Sequence, residues 1–319
     1  MAARLARSGV EPIVIDANPE HVRLLRDPGL EIDGLDIGAH TKLRAYTPEQ
    51  AEELSFTPDL VLLAVRSQDT ADAVRALLPR LSPTSDVVSL QNGINEDVIA
   101  SIVGAERTIG CVIAFGATWI EPGRISLDAD GELTIGRLDG STDEHLEHAR
   151  HHLDCAFRTT ITRNIRGALW AKMLVNSMTV LGALGGMLTG DVLATPTRRR
   201  LVAEIVAEGV DVARADGVAV PNVFGVVAPD AVRDHEAMDA ALQRFTTEYG
   251  TVKSVTWRDF EIGRATEIDA VTGEIVRRGE KLGVPTPLNA CVYAMLSEIE
   301  AGTRRPGADN IESLVAPGR

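Results

Sequence analysis

The sequence predicts an α/β protein with a parallel sheet in its first half and a second, all-helical domain. Short runs rich in Val, Ile and Leu alternate with helical stretches in the first half, which is typical of parallel strands joined by crossover helices. From about Asn164 onward helical periodicity dominates and strand signals fade. We therefore predict two domains, residues 1–163 and residues 164–319.

The elements of the first domain follow from aliphatic runs, helical periodicity and turn residues. The aliphatic run at residues 60–65 predicts a buried strand, and Pro122-Gly123 predicts the turn of a hairpin-rich section over residues 108–136. The other predicted strands span residues 12–16 and 86–90, and the predicted helices span residues 19–26, 70–81 and 95–103.

The second domain is predicted from apolar residues that recur at helical spacing. Its predicted helices span residues 169–188, 198–215, 237–245, 266–282 and 287–299. The most apolar window, residues 173–188, is too short to cross a bilayer comfortably and contains Asn176, so we interpret it as part of a core helix. We expect residues 307–319 to form a loose tail.

The chain opens within a helix that ends at Gly9, and the strand that follows closes on Asp16. A doubly wound, Rossmann-like sheet normally starts one strand earlier, with a Gly-x-Gly-x-x-Gly turn that receives the pyrophosphate of a dinucleotide. We expect this first strand and its turn to lie before Met1. The alternative is a non-catalytic chain that has lost its phosphate site.

Asp16 is a second sign of a dinucleotide. A carboxylate at the end of the second strand of such a sheet accepts hydrogen bonds from the adenosine ribose and repels a 2′-phosphate, which favours NAD over NADP. Alternatively, Asp16 belongs to the turn Asp16-Ala17-Asn18-Pro19 and caps the next helix.

The composition narrows the classes of partner and site. The 32 Lys and Arg residues against 46 Asp and Glu residues give a formal charge of −14, which disfavours nucleic acid and anionic membranes. The 3 cysteines match no metal spacing and indicate a reduced cytoplasm, and the opening residues do not have the pattern of a signal peptide. We interpret four histidines at helical spacing as a solvated face rather than a metal site: His145, His148, His151 and His152.

Lys172 and Asn176 interrupt the apolar run Leu169-Trp170-Ala171-Lys172-Met173-Leu174-Val175-Asn176. Their spacing of four places both on one face of a helix. A buried ammonium needs a partner, and Glu267 is the acidic candidate. We predict that Lys172 and Glu267 meet in a cleft, where Lys172 donates a proton to a substrate oxygen. A purely structural Lys-Glu pair is the alternative.

A series of short motifs resembles the ketopantoate reductase family (2-dehydropantoate 2-reductases). The motifs occur in the family's order and cover nearly the whole chain. They are residues 61–66 with Asp69-Thr70, Leu90-Gln91-Asn92-Gly93, Pro122-Gly123, Leu169-Trp170-Ala171-Lys172 with Asn176, residues 263–264 and 266–269, and residues 283–289.

The resemblance implies an oxidoreductase that reduces 2-dehydropantoate to pantoate, in pantothenate biosynthesis, with a nicotinamide cofactor that is usually NADP. It implies a nucleotide domain packed on a helical domain, with the substrate between them. A cytoplasmic homodimer formed through the helical domain is a further expectation at the level of the family.

The resemblance also implies roles for single residues. Lys172 matches the family's general acid, and Glu267 matches the carboxylate that holds both Lys172 and the substrate. Asn176 matches a substrate-binding amide, and Asn92 matches an asparagine near the nicotinamide and the substrate. Arg66 stands where the family usually has lysine, and as a cation it would contact cofactor or substrate.

The chain departs from the family's pattern at two substrate contacts. Val180 stands where the family often has a second asparagine, and Val255 stands where it has a serine, four residues before Asp259. Ser254, one position before Val255, becomes the candidate for that contact, although one residue turns a helix by about 100°. These departures leave two alternatives open, a related dehydrogenase for another 2-keto acid or opine-like substrate, and a non-catalytic relative.

Overall fold

The structure is a computed structural model and describes residues 1–35, 40–222 and 229–315. The chain forms two compact units. Unit 1 consists of Met1–Ala64, Asp72–Leu90 and Val98–Ile165, and unit 2 consists of Val65–Ala71, Gln91–Asp97 and Arg166–Arg319. The predicted division into a nucleotide domain, residues 1–163, and a helical substrate domain, residues 164–319, stays a prediction. Two short segments from the first half of the chain, Val65–Ala71 and Gln91–Asp97, belong to unit 2.

Unit 1 contains the strands. In chain order they are β1 (Ile13–Ile15), β2 (Glu31–Gly34), β3 (Arg44–Tyr46), β4 (Leu60–Leu63), β5 (Asp86–Ser89), β6 (Thr108–Ile113), β7 (Gly116–Glu121), β8 (Arg124–Ala129), β9 (Leu133–Arg137) and β10 (Thr159–Ile161). The strands predicted at residues 12–16, 60–65 and 86–90 are confirmed, and so is the hairpin-rich section. β2, β3 and β10 were not predicted, because their sequences, Glu-Ile-Asp-Gly, Arg-Ala-Tyr and Thr-Thr-Ile, lack the consecutive aliphatic residues that mark β1 and β4.

The largest sheet has the strand order β10-β9-β6-β5-β4. Pairs β4-β5, β5-β6 and β9-β10 are parallel, whereas β9 returns antiparallel to β6. Two smaller sheets have the orders β1-β3, which is parallel, and β2-β8-β7. The predicted α/β class with a parallel, Rossmann-like sheet is confirmed, with one antiparallel pair in the largest sheet that was not predicted.

The helices of the first half are α1 (Ala2–Arg7), α2 (Pro19–Arg26), α3 (Pro48–Glu52), α4 (Thr70–Leu77), α5 (Glu96–Val103) and α6 (Glu144–Asp154). α2 begins where the sequence predicts, because the Asn18 side chain accepts the Glu20 and His21 N–H groups and Pro19 occupies the first turn. Val22 and Leu25 on α2 are buried, and they join the core of unit 1 together with residues such as Ile109 and Leu133.

The helices of the second half are α7 (Ile165–Gly185), α8 (Thr189–Val192), α9 (Pro196–Ala215), α10 (His235–Tyr249), α11 (Val255–Glu261), α12 (Thr272–Leu282), α13 (Pro287–Glu300) and α14 (Ala308–Val315). The predicted all-helical second part of the chain is confirmed. α7 is long and apolar enough to cross a membrane by composition, but 83% of its most apolar window is buried within the protein. This burial agrees with the prediction of a core helix.

Two predictions for the second half were wrong. Residues 266–271 do not start α12, which begins at Thr272, and a short 3₁₀ turn, Ile268–Ala270, precedes it. The expected loose tail is instead the helix α14 over Ala308–Val315, and the last residues of the expected tail, 316–319, lie outside the described residues. α14 is held because Ile311 and Leu314 join the core of unit 2.

Candidate active site

Glu267 lies at the centre of a polar cluster within unit 2. It directly precedes the 3₁₀ turn, and its side chain is 13% exposed. Carboxylate atom Oε1 accepts a hydrogen bond from the backbone N–H of Ser67 at 3.1 Å and lies 3.0 Å from the Ser67 hydroxyl. Oε2 lies 3.5 Å from Asn92 Nδ2 and 3.5 Å from Arg66 Nη1. These contacts fix the position of the Glu267 side chain, since each partner is a hydrogen-bond donor or a cation.

Arg66 joins Glu267 to a second carboxylate. Its Nη1 and Nη2 donate to the two oxygens of Asp259 at 2.9 and 2.7 Å, which is a bidentate ion pair. The Arg66 side chain is 19% exposed and that of Asp259 is 6% exposed. Burial alone would lower the pKa of Arg66, but the hydrogen bonds and charge of Asp259, with the charge of Glu267, raise it. Arg66 is therefore a fixed positive charge between two carboxylates.

The segments Val65–Ala71 and Gln91–Asp97 are tied to each other by side-chain amides and hydroxyls. Gln91 Nε2 donates to the Val65 carbonyl at 2.9 Å and to the Thr70 hydroxyl at 2.8 Å. Asn95 Nδ2 donates to the Asn92 carbonyl at 2.8 Å and to the Ser67 hydroxyl at 3.2 Å. The two segments are therefore held together, and they bring Arg66, Ser67 and Asn92 to Glu267.

Gly93 allows the second segment to approach the 3₁₀ turn closely. Its φ is +82°, and a Cβ atom built there would lie 2.5 Å from the carbonyl oxygen of Ala270. The Asn92-Gly93 pair thus forms a tight turn, which is its ordinary structural role. The turn also brings the Asn92-Gly93 pair next to Ala270, which is three positions after Glu267.

Lys172 and Asn176 lie on α7, one turn apart and both half-buried. Their neighbours in the chain, Met173, Leu174 and Val175, are buried in the core of unit 2. The contact between Lys172 and Glu267 stays a prediction, and so do the roles of Lys172 as an acid and of Asn176 as a substrate-binding amide. The rigid helix keeps the two side chains on one face.

Ser254 and Asp16 have local structural contacts. Ser254 is 6% exposed and caps α11, because its hydroxyl accepts the Trp257 N–H at 3.2 Å. Asp16 follows β1, and its Oδ1 accepts the Asn18 N–H at 2.8 Å. The cap of α2 is Asn18, so the interpretation of Asp16 as the helix cap was wrong. The predicted substrate contact of Ser254 and ribose contact of Asp16 stay predictions.

Three members of the cluster were not predicted as site residues. Ser67 and Asn95 stand one and three positions from the predicted residues Arg66 and Asn92, yet no motif marks them. Asp259 was a landmark of the family resemblance only, and its role as the partner of Arg66 joins residues that are 193 positions apart. No group of three or more His, Cys, Asp or Glu residues within the described ranges has the arrangement of a metal site.

Comparison with known proteins gives a consistent family. Residues 1–140 match the family described as "Ketopantoate reductase PanE/ApbA", and residues 164–300 match "Ketopantoate reductase PanE/ApbA C terminal". A curated relative, "2-dehydropantoate 2-reductase" of Pyrococcus horikoshii, is 28% identical over 91% of this chain and 90% of its own length.

Two solved structures are similar over 95% of this chain and 94% of their own. The PanE/ApbA family ketopantoate reductase from Ralstonia eutropha has a TM-score of 0.80 at 30% identity. A D-mandelate dehydrogenase, solved with NADH and anilino(oxo)acetate, has a TM-score of 0.81 at 23% identity and shares the fold. With two family matches that together cover most of its length, the chain belongs to the ketopantoate reductase family.

Proposed function

We propose that this protein reduces a 2-keto acid, 2-dehydropantoate, to its 2-hydroxy acid, pantoate, with a nicotinamide cofactor in pantothenate biosynthesis. The family and the name of the curated relative support this reaction. The observation that carries it within the structure is the carboxylate of Glu267, held by Ser67 and close to Asn92 and Arg66. We further propose a cytoplasmic homodimer formed through the helices, as the family resemblance implies.

The reduction needs one hydride and one proton. The reduced nicotinamide supplies the hydride to the keto carbon when it is bound. In this proposal the ammonium of Lys172 gives a proton to the keto oxygen, which becomes the hydroxyl, and neutral Lys172 then regains its proton from solvent. Glu267 orients that ammonium, and the amides of Asn176 and Asn92 bind the substrate, with Ser254 as the third proposed substrate contact.

The charges of the cluster fit this assignment. Asp259 and Glu267 each carry one negative charge and Arg66 carries one positive charge, so together they have a net charge of about −1 at neutral pH. An ammonium group is the electrostatic complement of such a cluster. Lys172 is the lysine that the family resemblance assigns to this place.

The residues proposed to hold the cofactor are Asp16, Arg66 and Asn92. Asp16 follows a parallel strand, and its contact with the Asn18 N–H uses Oδ1, so Oδ2 can accept a ribose hydroxyl. A carboxylate at this place repels a 2′-phosphate. We therefore propose NAD rather than NADP as the preferred cofactor of this chain, against the usual preference of the family.

One observation favours a second candidate substrate, a 2-keto acid with a larger apolar side chain. Val255 and Asp259 lie four residues apart on α11, and Ile262, three residues after Asp259, directly follows the helix, so the three residues lie along one side of it. Asp259 points to Arg66, and the flanking Val255 and Ile262 are 53% and 62% exposed. An apolar substrate side chain would cover this exposed surface, whereas the extra hydroxyl of 2-dehydropantoate would not.

The test is steady-state oxidation of NADH and of NADPH with 2-dehydropantoate, 2-keto-4-methylpentanoate and phenylglyoxylate. We expect the highest kcat/KM with 2-dehydropantoate and the lower KM with NADH. Lys172→Ala should lower kcat by about 10²- to 10⁴-fold, because a general acid contributes that much, with a nearly unchanged Kd for the cofactor. Lys42→Ala, at a lysine that is 68% exposed, is the control.

The outcomes separate the alternatives. Equal turnover by Lys172→Ala would remove Lys172 from the mechanism, and a clear preference for NADPH would refute the argument from Asp16. A higher kcat/KM with phenylglyoxylate would favour the second candidate. No turnover with any keto acid, together with no binding in a cofactor titration, would indicate a non-catalytic relative.

A further inference from the structure

Arg278 on α12 connects three carboxylates outside the cluster around Glu267. Its Nη2 donates to Asp97 at 2.9 Å, its Nη1 to Asp216 at 2.8 Å and its Nε to Glu274 at 2.7 Å. The side chain is 16% exposed. Each nitrogen of the guanidinium thus has its own carboxylate, and the planar fork of arginine is the group that can satisfy all three.

We call Arg278 with Asp97, Asp216 and Glu274 the Arg278 junction. Asp97 extends this junction to the start of α7. Its Oδ1 accepts a hydrogen bond from Arg166 Nη1 at 3.0 Å, while its Oδ2 accepts from Arg278. The guanidinium of Arg278 also lies 5.9 Å from the ring of Trp170, within the range of a cation–π contact. Arg166 and Trp170 stand six and two residues before Lys172 on the same helix.

The junction therefore meets the segments that carry three of the proposed site residues, namely Asn92, Lys172 and Glu267. Asp97 ends the segment Gln91–Asp97, which carries Asn92. α12 follows the 3₁₀ turn after Glu267, and α7 carries Lys172. From Thr272 to Arg278 the helix rises about 9 Å, so Arg278 acts from a distance of roughly two turns.

Loss of Arg278 would remove the cation that joins the three carboxylates, since among the described residues Asp97 would keep only Arg166 and Glu274 would keep only Arg277. Burial raises the pKa of Asp97, but hydrogen bonds and charge from Arg278 and Arg166 outweigh it and hold that pKa below its usual value. A cavity of about 280 Å³ lies beside Arg278 and is lined by Asp97, Asp216 and Glu274. Without the arginine, water would enter and the carboxylates would move apart.

We propose that Arg278 is a positioning residue for the reaction, because its guanidinium holds the Asn92 segment and the start of α7 on α12. The inference rests on the proposed function. Arg278 acts through its ion pairs with Asp97, Asp216 and Glu274 and not through a contact with substrate. The placement of Asn92 and Lys172 relative to Glu267 depends on these ion pairs.

The first experiment measures how firmly the junction holds its two neighbouring segments, and it does not depend on enzyme turnover. Hydrogen exchange of peptides that cover residues 91–97 and 166–172 is compared in wild type, Arg278→Gln and Lys281→Gln. Lys281 lies one turn further along α12 beside the same cavity, so its substitution is a matched control for the charge. We expect exchange to rise at least fivefold in both peptides of Arg278→Gln and in neither peptide of Lys281→Gln.

The second experiment measures kcat and the Kd of the cofactor. Arg278→Gln should lower kcat by about 10²-fold, since a small misplacement of reacting groups has an effect of that size, while the Kd of the cofactor changes less than twofold. Arg278→Lys restores the charge but not the three-way contact, so it should recover little of the lost kcat. Asp97→Asn is the second variant and should raise exchange in the same two peptides.

The two proposals fail in different ways. Unchanged exchange in Arg278→Gln, or in Asp97→Asn if the first variant does not fold, would overturn the positioning role. Full recovery of kcat by Arg278→Lys would overturn it as well, because charge alone would then suffice. A wild-type protein without turnover would overturn the proposed function, and the exchange experiment would still decide whether Arg278 holds the segments.

Discussion

At the scale of single residues, the cluster is organised by how each buried charge is satisfied. Arg66 forms a bidentate ion pair with Asp259 and also lies close to Glu267. The guanidinium thus faces one carboxylate that anchors it, Asp259, and one that is proposed to orient Lys172, Glu267. A buried ion pair of this kind contributes less to stability than its contacts suggest, but the loss of one partner is strongly unfavourable. Asp259 is thus best understood as the anchor of Arg66.

Asp259→Asn should lower the free energy of unfolding by about 3 kcal/mol, because the neutral amide leaves Arg66 buried without its main partner. The measurement is urea denaturation at pH 7. Glu204→Gln is the control, since its pair with Arg200 has side chains that are 50% and 64% exposed. Exposed pairs contribute less than about 1 kcal/mol. Equal losses in the two variants would contradict the anchoring role of Asp259.

At the scale of elements, the cluster is built from the segments around the helices and strands. Ser67 and Asn92 lie in segments that follow β4 and β5, and Glu267 lies between α11 and α12. Sequence periodicity predicted a helix over residues 266–282, but the backbone at Glu267 has φ −108° and ψ 24° and the helix starts later. The non-helical backbone is stabilised in part by Glu300, whose Oε1 accepts the Thr266 N–H at 2.7 Å.

Gly93→Ala should destabilise the protein by about 3 kcal/mol. A positive φ contributes about 1–2 kcal/mol of this loss, and the close contact with the Ala270 carbonyl contributes the rest. Gly263→Ala is the matched control, because Gly263 has φ +66° but nothing within 4 Å of an added Cβ, so only the backbone cost of about 1 kcal/mol applies. Both losses are measured by urea denaturation. If Gly263→Ala were as destabilising as Gly93→Ala, the close approach to Ala270 would have no energetic effect.

At the scale of the whole molecule, aspartates paired with arginines occur in both units. Hydrogen bonds from Arg137 lower the pKa of Asp143 in unit 1, and those from Arg199 lower the pKa of Asp239 in unit 2. Asp97 has a lowered pKa despite its burial. A carboxylate whose pKa is lower in the folded state stabilises the protein above its unfolded pKa and loses that contribution as the pH falls.

The free energy of unfolding should therefore receive the full contribution of these three aspartates from pH 7 to about pH 5, and should lose it progressively below about pH 4. Urea denaturation at pH 7, 5, 4 and 3 measures the change. Asp143→Asn and Asp239→Asn should each make the loss below pH 4 smaller. A free energy that stays constant down to pH 3 would show that these pairs do not contribute.

The sequence by itself determined the α/β class, the helical second half and the family, because alternation, periodicity and ordered motifs are local properties of the chain. It also singled out Arg66, Asn92 and Glu267, which the structure brings together. Only the tertiary structure decided that Asp259 anchors Arg66, that Ser67 holds Glu267, and that α14 replaces a loose tail. These contacts join residues far apart in the chain, and their energies depend on burial and on charge neighbours that local patterns do not encode.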